Sequence, residues 1–154
     1  MRWAAVVVTC ALASAASGQP AYVGSSKCRV CHPAEHLAWS ATAHARTFAR
    51  LPESARSDSR CLECHATGGT AAFPEVGCEA CHGPGSEYRA LSVMISRDAA
   101  IAAGLRIADA AGCERCHRGA APHALRPFAF EDARAKGVHP IAEREGAAGP
   151  AGGP

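Results

Sequence analysis

The sequence predicts a small, mainly α-helical fold with long loops, and three observations predict it. A five-residue pattern, C-x-x-C-H, occurs four times, at Cys28–His32, Cys61–His65, Cys78–His82 and Cys113–His117. Each copy sets two thiols three positions apart, about one helical turn, with an imidazole directly after the second. Two further stretches, 34–50 and 86–103, are made mostly of good helix formers with apolar residues at three- and four-residue steps. Finally, aromatic residues make up only 5% of the 154, while Ala, Gly and Pro are abundant, so the chain lacks the material for a large conventional core.

The spacing explains what replaces that core. C-x-x-C-H is the attachment pattern of a c-type haem. The two thiols add to the two vinyl groups of one haem, and the adjacent imidazole sits under the iron. Random order at this chain's Cys and His frequencies would yield about 0.03 such matches, so four are a signal. A zinc ribbon needs paired C-x-x-C units, and a disulfide framework needs paired Cys, but neither demands a His after every second Cys. The expectation is therefore a small multihaem cytochrome c fold packed around four covalently bound haems. Cys28, Cys31, Cys61, Cys64, Cys78, Cys81, Cys113 and Cys116 would form the thioethers, and His32, His65, His82 and His117 would be the proximal iron ligands. The haems are flat apolar plates that loops and short helices can wrap, so haem attachment is expected to be coupled to folding.

In chain order, residues 1–18 read as a secretory signal: Arg2 gives the positive start, Trp3–Ala13 the apolar run, and Ala16-Ser17-Gly18 a small-x-small cleavage site. That run is too short to span a bilayer as a permanent helix. The ninth cysteine, Cys10, would leave with the signal. A lipid-anchored form through Cys10 is the weaker alternative, because Thr9 precedes it and the apolar run is short. Residues 19–140 form the haem-bearing domain. Tyr22–Lys27 leads into the first motif, and Pro33 suits the first turn of the helix that follows. A helix over 34–50 would put His44 on its apolar face. Residues 51–60 are polar and read as a linker. The second and third motifs follow too closely for a domain boundary. Gly83-Pro-Gly85 breaks the chain, Ser86 would cap a helix reaching Ala103, and Gly104 would stop it. Leu91, Met94, Ile95, Ile101 and Ala102 give that helix an apolar stripe. A short segment, Phe128–Lys136, follows the fourth motif, and residues 141–154, rich in Gly, Ala and Pro, read as a disordered tail.

Charge narrows the partners. The formal charge is +2, from 16 Lys and Arg against 14 Asp and Glu, with no basic stripe, so nucleic acid is not expected as a partner. Four haems with their propionates would bring the mature protein to about −3.

Four histidines remain after the proximal set: His36, His44, His123 and His139. Their number permits four bis-His haems. His44, among the small residues Thr42, Ala43 and Ala45, is the leading distal candidate, and His139, in a Val-His-Pro setting, is the second. His123 and His36 are further candidates; His36 lies on the same helical face as His32. Met94, beside Leu91 and Ile95, reads as core.

Tyr22-Val-Gly24, Cys28-x-x-Cys-His32, Trp39, Thr42-Ala-His44-Ala45 and Phe48 together resemble the opening of the cytochrome c-554 family of tetrahaem cytochromes. Val76–Glu87 is similar to a haem segment that recurs in that family and its multihaem relatives, and Phe128-Ala-Phe130 through Val138-His139-Pro140 is similar to its end. The resemblance covers most of residues 21–140. It implies a mostly helical fold with closely spaced haems, electron transfer in the periplasm, and His44 and His139 as distal ligands to haems other than that of the nearest motif. This chain departs at Tyr88, where relatives commonly carry a His that often serves as a distal ligand. Either His36 or His123 then substitutes, or one haem lacks a strong sixth ligand. Tyr88 itself would pack, bond a propionate, or ligate as a phenolate.

Two functions follow as expectations. The first is a periplasmic, or otherwise exported, carrier that moves electrons between a redox enzyme or quinol-side donor and an acceptor protein, with six-coordinate irons and no catalytic acid or base. The alternative is a haem enzyme acting on a small nitrogen species (nitric oxide, nitrite or hydroxylamine) at one open iron; only a five-coordinate haem would take such a ligand. Glu79, Glu87 and Arg89 lie near Tyr88 in sequence and would either line such a site or form a solvated face. The carrier is the preferred reading.

Overall fold

A computed structural model of the chain describes residues 18–117, 128–136 and 138. The expected signal sequence, the tail, Cys10, His123 and His139 lie outside these residues. The described residues contain eight short helices and no strand: α1 Ser25–Cys28, α2 Pro33–Ser40, α3 Ser59–His65, α4 Cys78–His82, α5 Leu91–Met94, α6 Arg97–Ala102, α7 Ala110–His117 and α8 Phe130–Lys136. Four 3-10 turns, His44–Arg46, Phe48–Arg50, Glu53–Ala55 and Thr67–Gly69, connect them. The mainly α expectation holds, and the apolar core is as small as composition requires. Among the described residues only Trp39, Leu51, Leu62, Ala66, Tyr88 and Ala100 are buried hydrophobics. Leu51, Leu62 and Ala66 form one cluster, with Phe48, Ala55 and Cys61 against it.

The segment expected to be one helix over 34–50 is broken after Ser40. Pro33 starts α2 as expected, but its end is pulled apart by local polar bonds. Ser40 Oγ donates to the Leu37 carbonyl (2.7 Å) and Thr42 Oγ1 to the Trp39 carbonyl (2.7 Å). Such side-chain bonds compete with the helical ladder. The Arg46 guanidinium then folds back and donates to the Ser40 and Ala41 carbonyls, capping the end (3.1 and 2.8 Å). His44 consequently sits on a 3-10 turn.

The polar linker is not loose. Leu51 is buried in the apolar cluster, Arg56 Nε donates to the Leu51 carbonyl (3.2 Å), and the Arg56 guanidinium lies 5.7 Å over the Phe48 ring. Asp58 caps α3 by accepting from Arg60 N (3.0 Å).

The expected 86–103 helix is two helices, because Ser96 acts as a second N-cap, its hydroxyl accepting from Ala99 N (3.3 Å). Ser86 is unavailable as the expected cap, since its hydroxyl accepts from Ala21 N (2.9 Å). Gly104 ends α6 with φ +99°, the predicted stop. The apolar stripe stays largely outside the core: Met94 is half-buried, while Leu91 and Ile95 stay 70% and 73% exposed, and the residue buried on α6 is Ala100, which is not in the stripe.

Candidate haem-binding sites

The four motifs lie on helical turns that end α3, form α4, end α7 and run on from α1. In the first, His32 N donates to the Cys28 carbonyl (2.9 Å), so both thiols and the imidazole share one turn. All eight motif cysteines are free thiols. Among the described residues no three His, Cys, Asp or Glu side chains converge into a group that could hold a metal ion.

Two of the proximal candidates are anchored to backbone through one ring nitrogen. His65 Nδ1 lies 3.0 Å from the Thr47 carbonyl and His82 Nδ1 lies 2.9 Å from the Arg106 carbonyl. A carbonyl can only accept, so Nδ1 carries the proton and the lone pair is on Nε2. This backbone anchoring of one ring nitrogen is how proteins fix a metal-binding imidazole. His32 Nδ1 is 4.0 Å from Glu35 Oε2, a looser arrangement on an exposed turn. His117 stacks on Phe128, with ring centres 4.4 Å apart and planes 22° apart.

The leading distal candidate reaches a motif other than the nearest in sequence. His44 faces His117, with ring centres 6.1 Å apart and planes at 79°. Its backbone is pinned, because Val76 N donates to its carbonyl (3.1 Å). Burial, and then the neighbouring His117, hold the His44 imidazole below the ordinary histidine pKa, which favours the neutral form a metal requires. His36 is half-buried and meets Trp39 edge-on at 5.2 Å, a contact within α2.

Tertiary packing also pairs the motifs. Ser25, which opens the helix ending in Cys28, accepts from Cys78 N through its hydroxyl (3.2 Å). The neighbouring Cys28 thiol holds the Cys78 thiol down to about 6, while Cys78 and burial push Cys28 up. The second and fourth motifs meet reciprocally. Cys64 Sγ points to the Arg115 carbonyl (4.0 Å), and Cys116 Sγ to the Glu63 carbonyl (3.8 Å). Burial, then Cys64, push the Cys116 thiol up to about 12. A cavity of about 520 Å³ lies between the third and fourth motifs, lined by Cys81, Arg106, Ile107, Asp109, Cys113 and Arg115. Apolar and thiol surface with two arginines in its lining suits an apolar plate carrying carboxylates.

Glu79, which sequence reasoning put in an open site or on a solvated face, is neither. It is 1% exposed, and its carboxylate accepts from Val23 N (2.9 and 3.0 Å), Gly24 N (2.7 Å) and Gly85 N (2.7 Å). A carboxylate between the two cysteines of a motif, followed by a Gly-Pro-Gly turn rich in close backbone, was the signal available for this. Glu87 and Arg89 are exposed. Tyr88 is buried, and its hydroxyl donates to the Gly83 carbonyl (2.6 Å). Burial, then Glu79, push its pKa up, so a phenolate is disfavoured and the packing reading stands. The Gly83 backbone has φ +83° and ψ 168°, and a Cβ there would lie 3.1 Å from the Gly104 carbonyl oxygen.

Paired thiols one turn apart, each pair followed by an imidazole and two of those imidazoles anchored through Nδ1, fit c-type haem, and the chain is of the c-type cytochrome class. Residues 27–83 match the family model described as "Cytochrome c554 and c-prime". Cytochrome c-554 of Nitrosomonas europaea is 29% identical over an alignment of 121 residues, covering 54% of this chain and 52% of that protein. Through this segment the chain is similar to the cytochrome c-554 family. It spans about half the length of the curated relative it matches. No solved structure matches it.

Proposed function

We propose that this chain is an exported tetrahaem cytochrome that carries electrons between a redox enzyme or quinol-side donor and an acceptor protein. Cys28/Cys31, Cys61/Cys64, Cys78/Cys81 and Cys113/Cys116 each hold one haem, and His32, His65, His82 and His117 are the proximal ligands. The observation that carries the reading is the facing of His44 and His117 at 6.1 Å. Two imidazoles on opposite sides of one ion, each nitrogen about 2 Å from the metal, have ring centres about 6 Å apart. His44 and His117 would together hold the iron of the fourth haem, and an iron fully held by the chain's own side chains would suit electron transfer rather than substrate binding. His139, His123 and His36 are the candidates for the remaining irons.

The carrier is favoured over the enzyme by what the other polar groups are doing. The Glu79 carboxylate and the Tyr88 hydroxyl are both engaged by backbone, so neither is poised as a proton donor. Haem itself supplies the redox chemistry; the chain binds, spaces and shields it. Export follows from the signal-like residues 1–18 and from the extracytoplasmic attachment of c-type haem. No helix among the described residues is long and apolar enough to cross a membrane.

The test is haem content and ferric EPR on the mature protein, with and without nitric oxide. Four haems and only low-spin signals, unchanged by nitric oxide, are expected. A high-spin signal that disappears on adding nitric oxide would replace the carrier with the small-molecule enzyme.

A further inference from the structure

We propose that Glu79 is a positioning residue for electron transfer: its carboxylate fixes the first haem site against the third, and its negative charge holds the potentials of that pair down. The inference rests on the haem assignment above.

Residues 21–25 precede the first motif and lie along the third. Ala21 N donates to Ser86 Oγ (2.9 Å), Ser86 N returns a bond to the Ala21 carbonyl (3.1 Å), and Cys78 N donates to Ser25 Oγ (3.2 Å). Glu79 is the centre of this seam. Its two oxygens take N–H groups from Val23 and Gly24 on one side and Gly85 on the other. Both oxygens act only as acceptors, the pattern of an ionised carboxylate. Gly85 lies so close that a Cβ there would be 3.0 Å from Glu79 Oε1. The seam ends at the Cys78 N bond to Ser25, which opens the one-turn helix ending in Cys28, so it fixes how far apart the first and third thioether sites stand. Electron exchange between haems depends on that separation.

The charge has a second effect. A buried carboxylate survives only when fully hydrogen-bonded, and the low local dielectric that makes its burial costly also strengthens its field. A negative charge beside an iron favours the ferric over the ferrous state. Glu79 lies inside the third motif and grips the lead of the first, so its field falls mainly on those two haems.

Two variants of the full chain, exported and matured, test this: Glu79→Gln, which keeps the shape and removes the charge, and Ser86→Ala, which keeps the charge and loosens the seam. Haem count, potentiometric titration and EPR are read on both. With four haems retained, Glu79→Gln is expected to raise two of the four midpoints, by on the order of a tenfold change in the reduced-to-oxidised ratio, about 59 mV for a one-electron couple. Ser86→Ala is expected to leave the midpoints in place and alter the spin coupling of one haem pair. Unchanged midpoints in Glu79→Gln, or an equal shift of all four, overturn the proposal. If Glu79→Gln fails to mature, Ser86→Ala decides, and unaltered coupling overturns it. Fewer than four haems in the unmodified protein would instead overturn the haem assignment itself.

Discussion

The imidazoles of His44 and His117 face each other with ring centres 6.1 Å apart, bringing the 3-10 turn after α2 to the last residue of α7. Neither residue is near the other in sequence, and His117 also stacks on Phe128. Removing the His44 imidazole should therefore open one iron without dismantling a haem. In His44→Ala, haem content is expected to stay at four while one low-spin EPR signal is replaced by a high-spin one that binds nitric oxide. Four unchanged low-spin signals would remove His44 from the ligand set.

The contacts between motifs predict which haems couple. The helix of the first motif meets the third through Ser25 and Cys78, and the second meets the fourth through Cys64 and Cys116. A Cys28→Ala/Cys31→Ala variant, lacking the first haem, should lose the magnetic coupling of one pair and keep that of the other. Loss of both couplings would show a single continuous array.

Gly83 is held at φ +83° and ψ 168°, a conformation open almost only to glycine. Its carbonyl also accepts the Tyr88 hydroxyl, directly after His82. Gly83→Ala should destabilise the holoprotein by about 1–3 kcal/mol, measured by thermal unfolding, with the third haem's spectrum the first to change. Equal stability would mean the turn relaxes at no cost.

Tyr88 predicts an alkaline limit. Its pKa is raised by burial and by Glu79, so the folded state keeps a proton that the unfolded chain releases near the ordinary value of 10. The stabilisation is fully present below that value and is lost as pH rises above it. Tyr88→Phe should therefore flatten the alkaline fall in stability, at a neutral-pH cost of about 0.5–1.5 kcal/mol for the lost hydrogen bond. Denaturant titrations at neutral and alkaline pH measure both effects, and an unchanged alkaline slope would assign the fall to other groups.

The helix breaks show where sequence reading stopped. Periodicity over 34–50 and 86–103 is visible, but the breaks depend on Thr42 and Arg46 bonding back to carbonyls and on Ser96 capping a second helix, and the start on Ser86 being engaged by Ala21, a residue far away in the chain. Glu79 was misread for the same reason. A lone acidic residue looks solvated until its partners, the N–H groups of Val23, Gly24 and Gly85, are brought to it by tertiary packing.

The class of this protein is legible in the chain's order alone, because C-x-x-C-H is a local device: thiol, thiol and imidazole are placed by one helical turn and need no distant partner. Composition also determined that the apolar core would be small, since it bounds what can be buried. Only the tertiary structure decided that His44 faces His117, that the first motif meets the third and the second the fourth, and that Glu79 is the buried clasp between residues 21–25 and the turn at Gly85. Those relationships join residues from separate helices and loops. Chain order carries no record of which of them close packing will bring within a few ångströms.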